Sequence, residues 1–391
     1  LVEKGELGGT CLNVGCIPTK TLLRSARSLS DCREAGLYGV ATGEVSLDLQ
    51  AVQKRKNDIV ATLRKGVAGM IKRAGVDQIE GTAAVTGRNT VCVDGERTLE
   101  GVNILVATGS MPAIPPIPGI DGTSVLDSTG ILRLDTVPDA LTVIGGGVIG
   151  LEFACLFAEF GSSVTVIEML PRIAPVADAD IAKRLLRTLK KKGIRFHLSS
   201  RVTGIEGGTV HFNDSSDEVQ SLSSDLILNA TGRAPVVEGI GLETVGVDYD
   251  SSGIRTDVFG RTNVPGIWAC GDVTGRCLLA HSATREGMVA VNNMFGREDR
   301  LRLSGIPSVI YTHPEVAHVG AAESELKERG VPYRKSIQPM SLAGRFVVEH
   351  ARESGTVKVL VGEEYDQILG IHMIGGSCGE FVASAAAMIE M

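Results

Sequence analysis

The sequence predicts an α/β fold built on two βαβ units, with an α+β domain behind them. Three observations predict it. First, 48 of the 391 residues are glycine, against a usual level of about 7%. The glycines follow no triplet repeat and cluster beside β-branched runs, which suits tight strand-to-helix turns. Second, Ala140–Ile144 reads as a short buried strand, Gly145–Gly150 as a G-x-G-x-x-G turn, and the stretch to about 160 as a helix. A further strand, Ser163–Ile167, then ends in Glu168. A lone glycine turn is weak evidence, but strand, turn, helix, strand and acidic residue in that order mark a dinucleotide-binding unit. Third, Ile104-Leu-Val-Ala-Thr-Gly109 is echoed by Ile227-Leu-Asn-Ala-Thr-Gly232, a weak internal repeat. Two Rossmann-type domains are therefore expected.

Composition excludes several classes. Hydrophobic residues at 43% and charged residues at 22% lie in the ordinary globular range, so neither disorder nor coiled coil describes the chain. Aromatics are 4%, which argues against base-stacking platforms. A net charge of −7 argues against a phosphate-backbone binder, so no nucleic-acid partner is expected. The Lys190–Lys192 run reads as the solvated end of a helix. No apolar stretch reaches about 18 residues, so no membrane span is expected. Nor is there a signal peptide, which makes the cytoplasm, or a mitochondrial matrix, the expected compartment. The chain starts at Leu1 without Met and stops inside a helical pattern at Met391, so both ends are expected to be cut.

Along the chain, residues 20–35 and 51–75 read as helices. In the second, Val52, Ile59, Val60, Leu63, Val67, Met70, Ile71 and Ala74 share a face. Residues 79–106 are strand-like. Pro112, Pro115, Pro116 and Pro118 form an extended connector and a plausible domain boundary. Residues 262–272 read as a strand ending in Gly271-Asp272. From 304 onward the pattern is strand-rich and closes on a helix.

In the second unit the glycines let the backbone approach a pyrophosphate at the helix N-terminus. Glu168 would bind ribose hydroxyls and repel a 2′-phosphate, favouring NAD over NADP. By the repeat, Glu3 is expected to be the ribose carboxylate of a first unit, with its phosphate loop about 20 residues upstream of it.

Eight cysteines are present, without C-x-x-C or a Cys/His box, so no metal site is expected. Six are scattered; the exception is Cys11-Leu-Asn-Val-Gly-Cys16, followed by Ile17-Pro18-Thr19-Lys20. Five extended steps span about 17 Å, far more than the roughly 4.4–6.8 Å between Cα atoms of a disulfide. For the two sulfurs to meet the chain must fold back, and Asn13 and Gly15 are expected to permit this with positive φ. Pro18 suits the first turn of a helix, which places Cys16 near a positive dipole end that favours a thiolate. Spacing alone leaves a redox pair and a reduced pair buried in a loop both open.

Together, Gly8-Gly9-Thr10-Cys11 through Lys20, Ala107-Thr108-Gly109, Gly145–Glu152, Gly271-Asp272 and Tyr311-Thr-His-Pro-Glu315 resemble the pyridine nucleotide–disulfide oxidoreductases. Within that flavoprotein family the dihydrolipoyl dehydrogenases are the nearest group, and the mercuric reductases, which share the Cys pair, are the runner-up. An inactive fragment of such an enzyme, holding FAD weakly, is the rival of another class. The resemblance implies an FAD domain at 1–112, an NAD domain at 113–233, a central domain at 234–303 that completes the FAD site, and an interface domain at 304–391. It also implies a homodimer acting on the lipoyl arm of a lipoylated acyltransferase or glycine-cleavage lipoyl protein.

In the implied mechanism Cys11 and Cys16 form the active disulfide. A substrate thiolate attacks Cys11, Cys16 is released against the flavin, and electrons pass as hydride to NAD. Lys20 pairs with Glu152 near the flavin. The implied FAD contacts are Glu3, Lys4, Gly8, Gly9, Thr10, Cys11, Cys16, Lys20, Ala83, Thr108, Gly109, Ser110, Asp272 and Ala280. Those for NAD are Gly145, Gly146, Gly147, Val148, Ile149, Gly150, Glu152, Glu168, Val202 and Gly232. The acid–base histidine is implied to come from a C-terminal segment of the partner subunit. His318 and Glu323 share its five-residue spacing, but the position is that of an interface strand.

Overall fold

The structure, a computed structural model, describes residues 1–350 and 353–391. It contains two compact units that do not follow chain order. One comprises residues 1–18, 57–113 and 233–303; the other comprises 19–56, 114–232 and 304–391. The change at Ala113/Ile114 falls inside the proline connector.

In the first unit, the strand Val2–Glu3 runs parallel to Ile79–Glu80, and Ile104–Val106 runs parallel to Ile267–Ala269. An antiparallel meander of Ala83–Gly87, Thr90–Val93 and Arg97–Glu100 follows the residue order, because each turn is short and glycine- or asparagine-bearing. Val85, Val106, Leu242, Ile254, Ile267 and Val273 form its core. Gly241 has φ +77°, and a Cβ there would meet the Val85 carbonyl oxygen at 2.1 Å, so only glycine lets the two segments touch. Part of the stripe on helix Leu49–Arg73 stays out of any core: Val60 is buried, but Leu63 and Met70 are 41% and 56% exposed.

The second unit contains a parallel sheet ordered Arg195–His197, Ser163–Ile167, Ala140–Ile144, Leu226–Asn229, Val125–Leu126. With Ala140–Ile144 taken as the first strand this is the 3-2-1-4 order, and a ligand crevice is expected where the order reverses, between Ala140–Ile144 and Leu226–Asn229. The crossover helix Val148–Phe160 is buried from Gly150 to Phe157, since its sequence is apolar nearly all round. Helix Cys16–Glu34 adds Leu22, Ala26 and Leu29, spaced four and three apart, to the same core. A three-stranded antiparallel sheet, Arg201–Glu206, Thr209–Asn213 and Val219–Ser223, lies between Arg195–His197 and Leu226–Asn229 in sequence.

Residues after 304 form a five-stranded antiparallel sheet ordered Ser308–Ile310, Val316–Gly320, Ile368–Ile374, Thr356–Gly362, Tyr333–Pro339. Helix Cys378–Glu390 supplies Cys378, Val382 and Ala385 to its core. No helix among the described residues is long and apolar enough to cross a membrane.

Candidate active site

The two cysteines flank a break between two helices. Gly9–Val14 forms a short helix containing Cys11, and Cys16 is the first residue of the 19-residue helix Cys16–Glu34. Both cysteines are half-buried. Pro18 sits in the first turn of the longer helix, as its spacing predicts.

The fold-back is not made as expected. Asn13 lies inside the short helix, and Gly15 has φ −134° and ψ −112° rather than a positive φ. The positive values fall earlier, at Gly8 (104°) and Gly9 (63°). Helical winding itself shortens the path, at about 1.5 Å of rise per residue instead of about 3.4 Å. Gly15 remains indispensable for another reason: a Cβ there would lie 2.9 Å from the Thr10 carbonyl oxygen and 3.2 Å from the Cys11 Cα. The backbone just before Cys16 therefore packs on the residue pair 10–11.

Lys20 and Glu152 meet. The Lys20 Nζ donates to both carboxylate oxygens at 3.0 and 2.8 Å, and lies 4.7 Å from the centroid of the Tyr311 ring. Glu152 is 3% exposed and also accepts the Tyr311 backbone N–H at 2.9 Å. This is a buried carboxylate holding a half-open ammonium, not a solvated surface pair.

The glycine turn fits a dinucleotide. Gly145 has φ +108°, and a Cβ there would meet the Ala230 carbonyl oxygen at 2.4 Å. At Gly150 a Cβ would meet the Gly145 carbonyl oxygen at 2.1 Å, which is the close helix–strand packing the motif requires. Gly147, in contrast, has nothing within 4 Å. It caps helix Val148–Phe160, and a glycine cap offers no side-chain acceptor to the N–H groups of that helix's first turn. Glu168 ends its strand at 7% exposure, accepting from Gly146 N and Leu170 N at 2.6 Å each. A carboxylate offers about four lone-pair sites, so two are left for ribose hydroxyls. Gly232 (φ +145°) also has nothing within 4 Å, and Val202 is half-buried in strand Arg201–Glu206.

Residues expected at FAD lie in the first unit. The Glu3 carboxylate accepts from Gly5 N at 2.9 Å, beside exposed Lys4. Thr108 Oγ1 donates to the Val236 carbonyl at 2.7 Å, and Gly109 (φ +73°) has nothing within 4 Å. Ser110 Oγ donates to Asp272 Oδ2 at 2.5 Å. Asp272 lies in the turn Gly271–Thr274; Ala280 opens helix Ala280–Met294, and Ala83 opens strand Ala83–Gly87. Open glycines and a half-buried carboxylate suit a polyol and phosphate chain.

Sequence reading missed the groups that hold this turn. Arg233 donates to Ser110 Oγ at 2.7 Å and to the Ser110 carbonyl at 2.6 Å. Glu286, 5% exposed, accepts from Gly271 N at 2.7 Å and Ser282 Oγ at 3.0 Å. Burial raises its pKa, partly offset by those hydrogen bonds. Tyr311 was quoted only as part of a motif, although its backbone N–H and ring both serve the Lys20–Glu152 pair. No local signal links residues more than a hundred positions apart.

His318 and Glu323 do not form an acid–base couple. His318 lies in strand Val316–Gly320 and stacks on His372, with ring centroids 5.9 Å apart. Burial and the His372 charge push its pKa down to about 4. Glu323 instead binds Lys358, Lys327, Lys335 and Tyr333.

Comparison with known proteins agrees with this geometry. Residues 1–287 match the model of the pyridine nucleotide-disulphide oxidoreductase family, and residues 306–391 match that family's dimerisation domain. Dihydrolipoyl dehydrogenase 3 of Pseudomonas aeruginosa is 40% identical, over 98% of this chain and 84% of its own. Dihydrolipoyl dehydrogenase of Bacillus subtilis is 36% identical, over 100% and 86%. Among solved structures, LpdA of Mycobacterium tuberculosis superposes with a TM-score of 0.89 at 26% identity, covering 100% of this chain and 86% of that one. The HOCl-induced flavoprotein disulfide reductase RclA of Escherichia coli gives 0.86 at 28%, covering 100% and 87%. With matches over 1–287 and 306–391 and relatives 36–40% identical over nearly the whole chain, the chain belongs to the pyridine nucleotide-disulphide oxidoreductase family.

Proposed function

We propose that the protein is a dihydrolipoyl dehydrogenase. It oxidises dihydrolipoamide to lipoamide: two S–H groups become one S–S bond, two electrons and a proton reach NAD as hydride, and the second proton goes to solvent. The observation that carries this reading is Cys11 and Cys16 flanking one helix break, in a chain 36–40% identical to dihydrolipoyl dehydrogenases over nearly its whole length.

Cys11 is the interchange sulfur, which takes the substrate thiolate into a mixed disulfide. Cys16, at the positive end of a long helix, is the better-stabilised thiolate and therefore the leaving group. Bound FAD supplies the two-electron relay between thiols and nicotinamide. Glu3, Lys4, Gly8, Gly9, Thr10, Ala83, Thr108, Gly109, Ser110, Asp272 and Ala280 hold it, with Asp272 fixed through Ser110. Gly145–Gly150, Glu168, Val202 and Gly232 hold NAD. Glu152 orients Lys20, whose positive charge would stabilise negative charge on bound FAD. The four-domain division at 112, 233 and 303 is our working description. The grouping of 1–18 and 57–113 with 233–303 supports a central segment that completes the FAD site.

The dimerisation-domain match supports a homodimer. Its partner in turnover is the lipoyl arm of a lipoylated acyltransferase or glycine-cleavage lipoyl protein, in the cytoplasm or a mitochondrial matrix. The test is NADH turnover by the purified protein with lipoamide, oxidised glutathione or mercuric ion as acceptor. Lipoamide is expected to be preferred by orders of magnitude. NAD(P)H oxidation with mercuric ion alone would overturn the assignment in favour of a mercuric reductase.

A further inference from the structure

The short helix that bears Cys11 is tethered by a group that no sequence pattern points to. Six residues are too few to hold a helix by themselves, and of Gly9–Val14 only Leu12 is buried. Its position has to come from tertiary contacts. The Asn13 side chain provides them. Its Nδ2 donates to the carbonyls of Leu7 and Gly9 at 3.0 Å and of Glu6 at 3.2 Å, with one N–H shared. Its Oδ1 accepts two hydrogen bonds from Arg64, Nε at 3.0 Å and a terminal nitrogen at 2.9 Å. The amide cannot be turned over, because a guanidinium has no acceptor and a carbonyl no donor. The third guanidinium nitrogen binds Glu6 at 2.8 Å. One arginine on helix Leu49–Arg73 therefore grips both the turn before Cys11 and the residue two after it.

We propose that Arg64 is a positioning residue for the cysteine pair: by clamping Asn13 and Glu6 it fixes the Cys11 helix relative to Cys16 and so sets the equilibrium between dithiol and disulfide. This rests on the reading of Cys11 and Cys16 as the redox pair. Cys16 is anchored at the start of a 19-residue helix, whereas Cys11 sits on a six-residue helix that buries one side chain, Leu12, and is gripped on both sides by the clamp. Loosening the Cys11 side lowers the effective concentration of one sulfur at the other, which disfavours the disulfide and makes the pair more oxidising. Atoms balance as in any dithiol couple: the disulfide takes two electrons and two protons from two glutathione thiols, which leave as oxidised glutathione.

The experiment equilibrates the purified protein in glutathione redox buffers of graded ratio, then alkylates it and counts blocked Cys11 and Cys16 by peptide mass. Arg64→Gln is expected to shift the equilibrium constant about tenfold toward the dithiol, which is about 30 mV. Arg64→Lys separates position from charge, because one ammonium keeps the charge but not the paired N–H contact. At least half of the shift, on a logarithmic scale, is expected to persist in it. Asn13→Ser combined with Arg64→Gln is expected to shift no further than either alone, since both break the same clamp. Should Arg64→Gln not fold, Arg64→Lys carries the same reading. If the parent protein forms the disulfide and both Arg64 variants stay within twofold of it, the clamp is overturned and the assigned activity stands. A parent protein that forms no Cys11–Cys16 disulfide at any ratio removes both.

Discussion

Two lysines in the second unit are held by carboxylates, and they are held differently. Lys358, on strand Thr356–Gly362, is 1% exposed and meets three: Asp178 at 2.8 Å, Asp180 at 2.8 Å and Glu323 at 2.5 Å. Lys20 is held by Glu152, and its side chain is 31% exposed. In the first case the lysine is enclosed by its partners and has no face left for a ligand. In the second the carboxylate is the buried member and the lysine side chain is partly exposed. Burial of the anchor rather than of the cation is what separates the lysine proposed to act beside the flavin from the structural one. Asp178 makes the point from the other side: it also caps helix Ala179–Lys191 through Asp180 N at 3.0 Å, so the Lys358 cluster ties that helix to the antiparallel sheet.

The largest expected effect follows from that enclosure. Lys358→Ala strands Asp178 beside an empty space, while Glu323 keeps Lys327, Lys335 and Tyr333, and breaking a buried ion pair on one side costs about 3–5 kcal/mol. Urea denaturation should show it as a much lower midpoint. A loss under about 1 kcal/mol would make the cluster as dispensable as a surface pair. Lys358→Met combined with Asp178→Leu and Glu323→Leu should recover much of the loss, because an apolar replacement of the whole cluster removes the stranded charges.

Lys20→Met sharpens the contrast through a different readout. Its expected cost to stability is about 1–3 kcal/mol, since Glu152 keeps the Tyr311 N–H. Turnover with lipoamide should fall about 10²-fold if the ammonium stabilises charge developing on the cofactor. Stopped-flow spectra of thiol reduction should show the slowed step. Equal loss of stability in the Lys20 and Lys358 variants, with turnover intact in the former, would erase the distinction.

Both lysines also show what the sequence can carry. Lys20 and Glu152 were legible as a pair only through the family resemblance, which joins the lysine four residues after Cys16 to the glutamate two positions past the glycine turn. The Rossmann strands were legible without it, because Ala140–Ile144, the turn and Ser163–Glu168 are consecutive. Lys358 was not. In the run Val357-Lys358-Val359-Leu360-Val361 strict alternation puts the lysine on the same side as Leu360, and both are buried. The carboxylates that make that placement tolerable, Asp178, Asp180 and Glu323, lie 180, 178 and 35 positions away. The Asn13–Arg64 clamp failed for a related reason. Asn13 was read for its tolerance of positive φ, a backbone property, when its role is that of a side-chain hub within a helix. Pairs set by tertiary approach leave no trace in local spacing.

The smallest effect concerns pH, and it adds the neighbours of Lys358. Lys358 is directly opposite His372, and His372 is opposite His318, so three basic groups cross the sheet in a row. Asp178 faces that row. The surroundings keep the histidines neutral while the lysine is charged: burial lowers both imidazoles, His318 to about 4. A folded-state pKa below the ordinary 6.5 means that the unfolded chain binds more protons between the two values. Stability should therefore fall as pH drops from about 6.5 toward 4, with a slope per histidine no steeper than about 1.4 kcal/mol per pH unit. Asp178 and Glu323 act lower on the scale. Burial works to raise them, but the Lys358 hydrogen bond outweighs it and depresses both, so their contribution is present above about pH 4.5 and is lost only below it. Urea midpoints measured from pH 7 to 4.5 cover the histidine window together with Glu286 and Glu315, whose pKa values burial raises, so the row is read from the difference between parent and variant. His318→Phe keeps a ring against His372 and should flatten the slope there, leaving the steeper fall below pH 4.5 in place. An unchanged slope above pH 4.5 in that variant would mean that the buried row is not what registers the first protons, and that the Lys358 cluster is insulated from its own sheet.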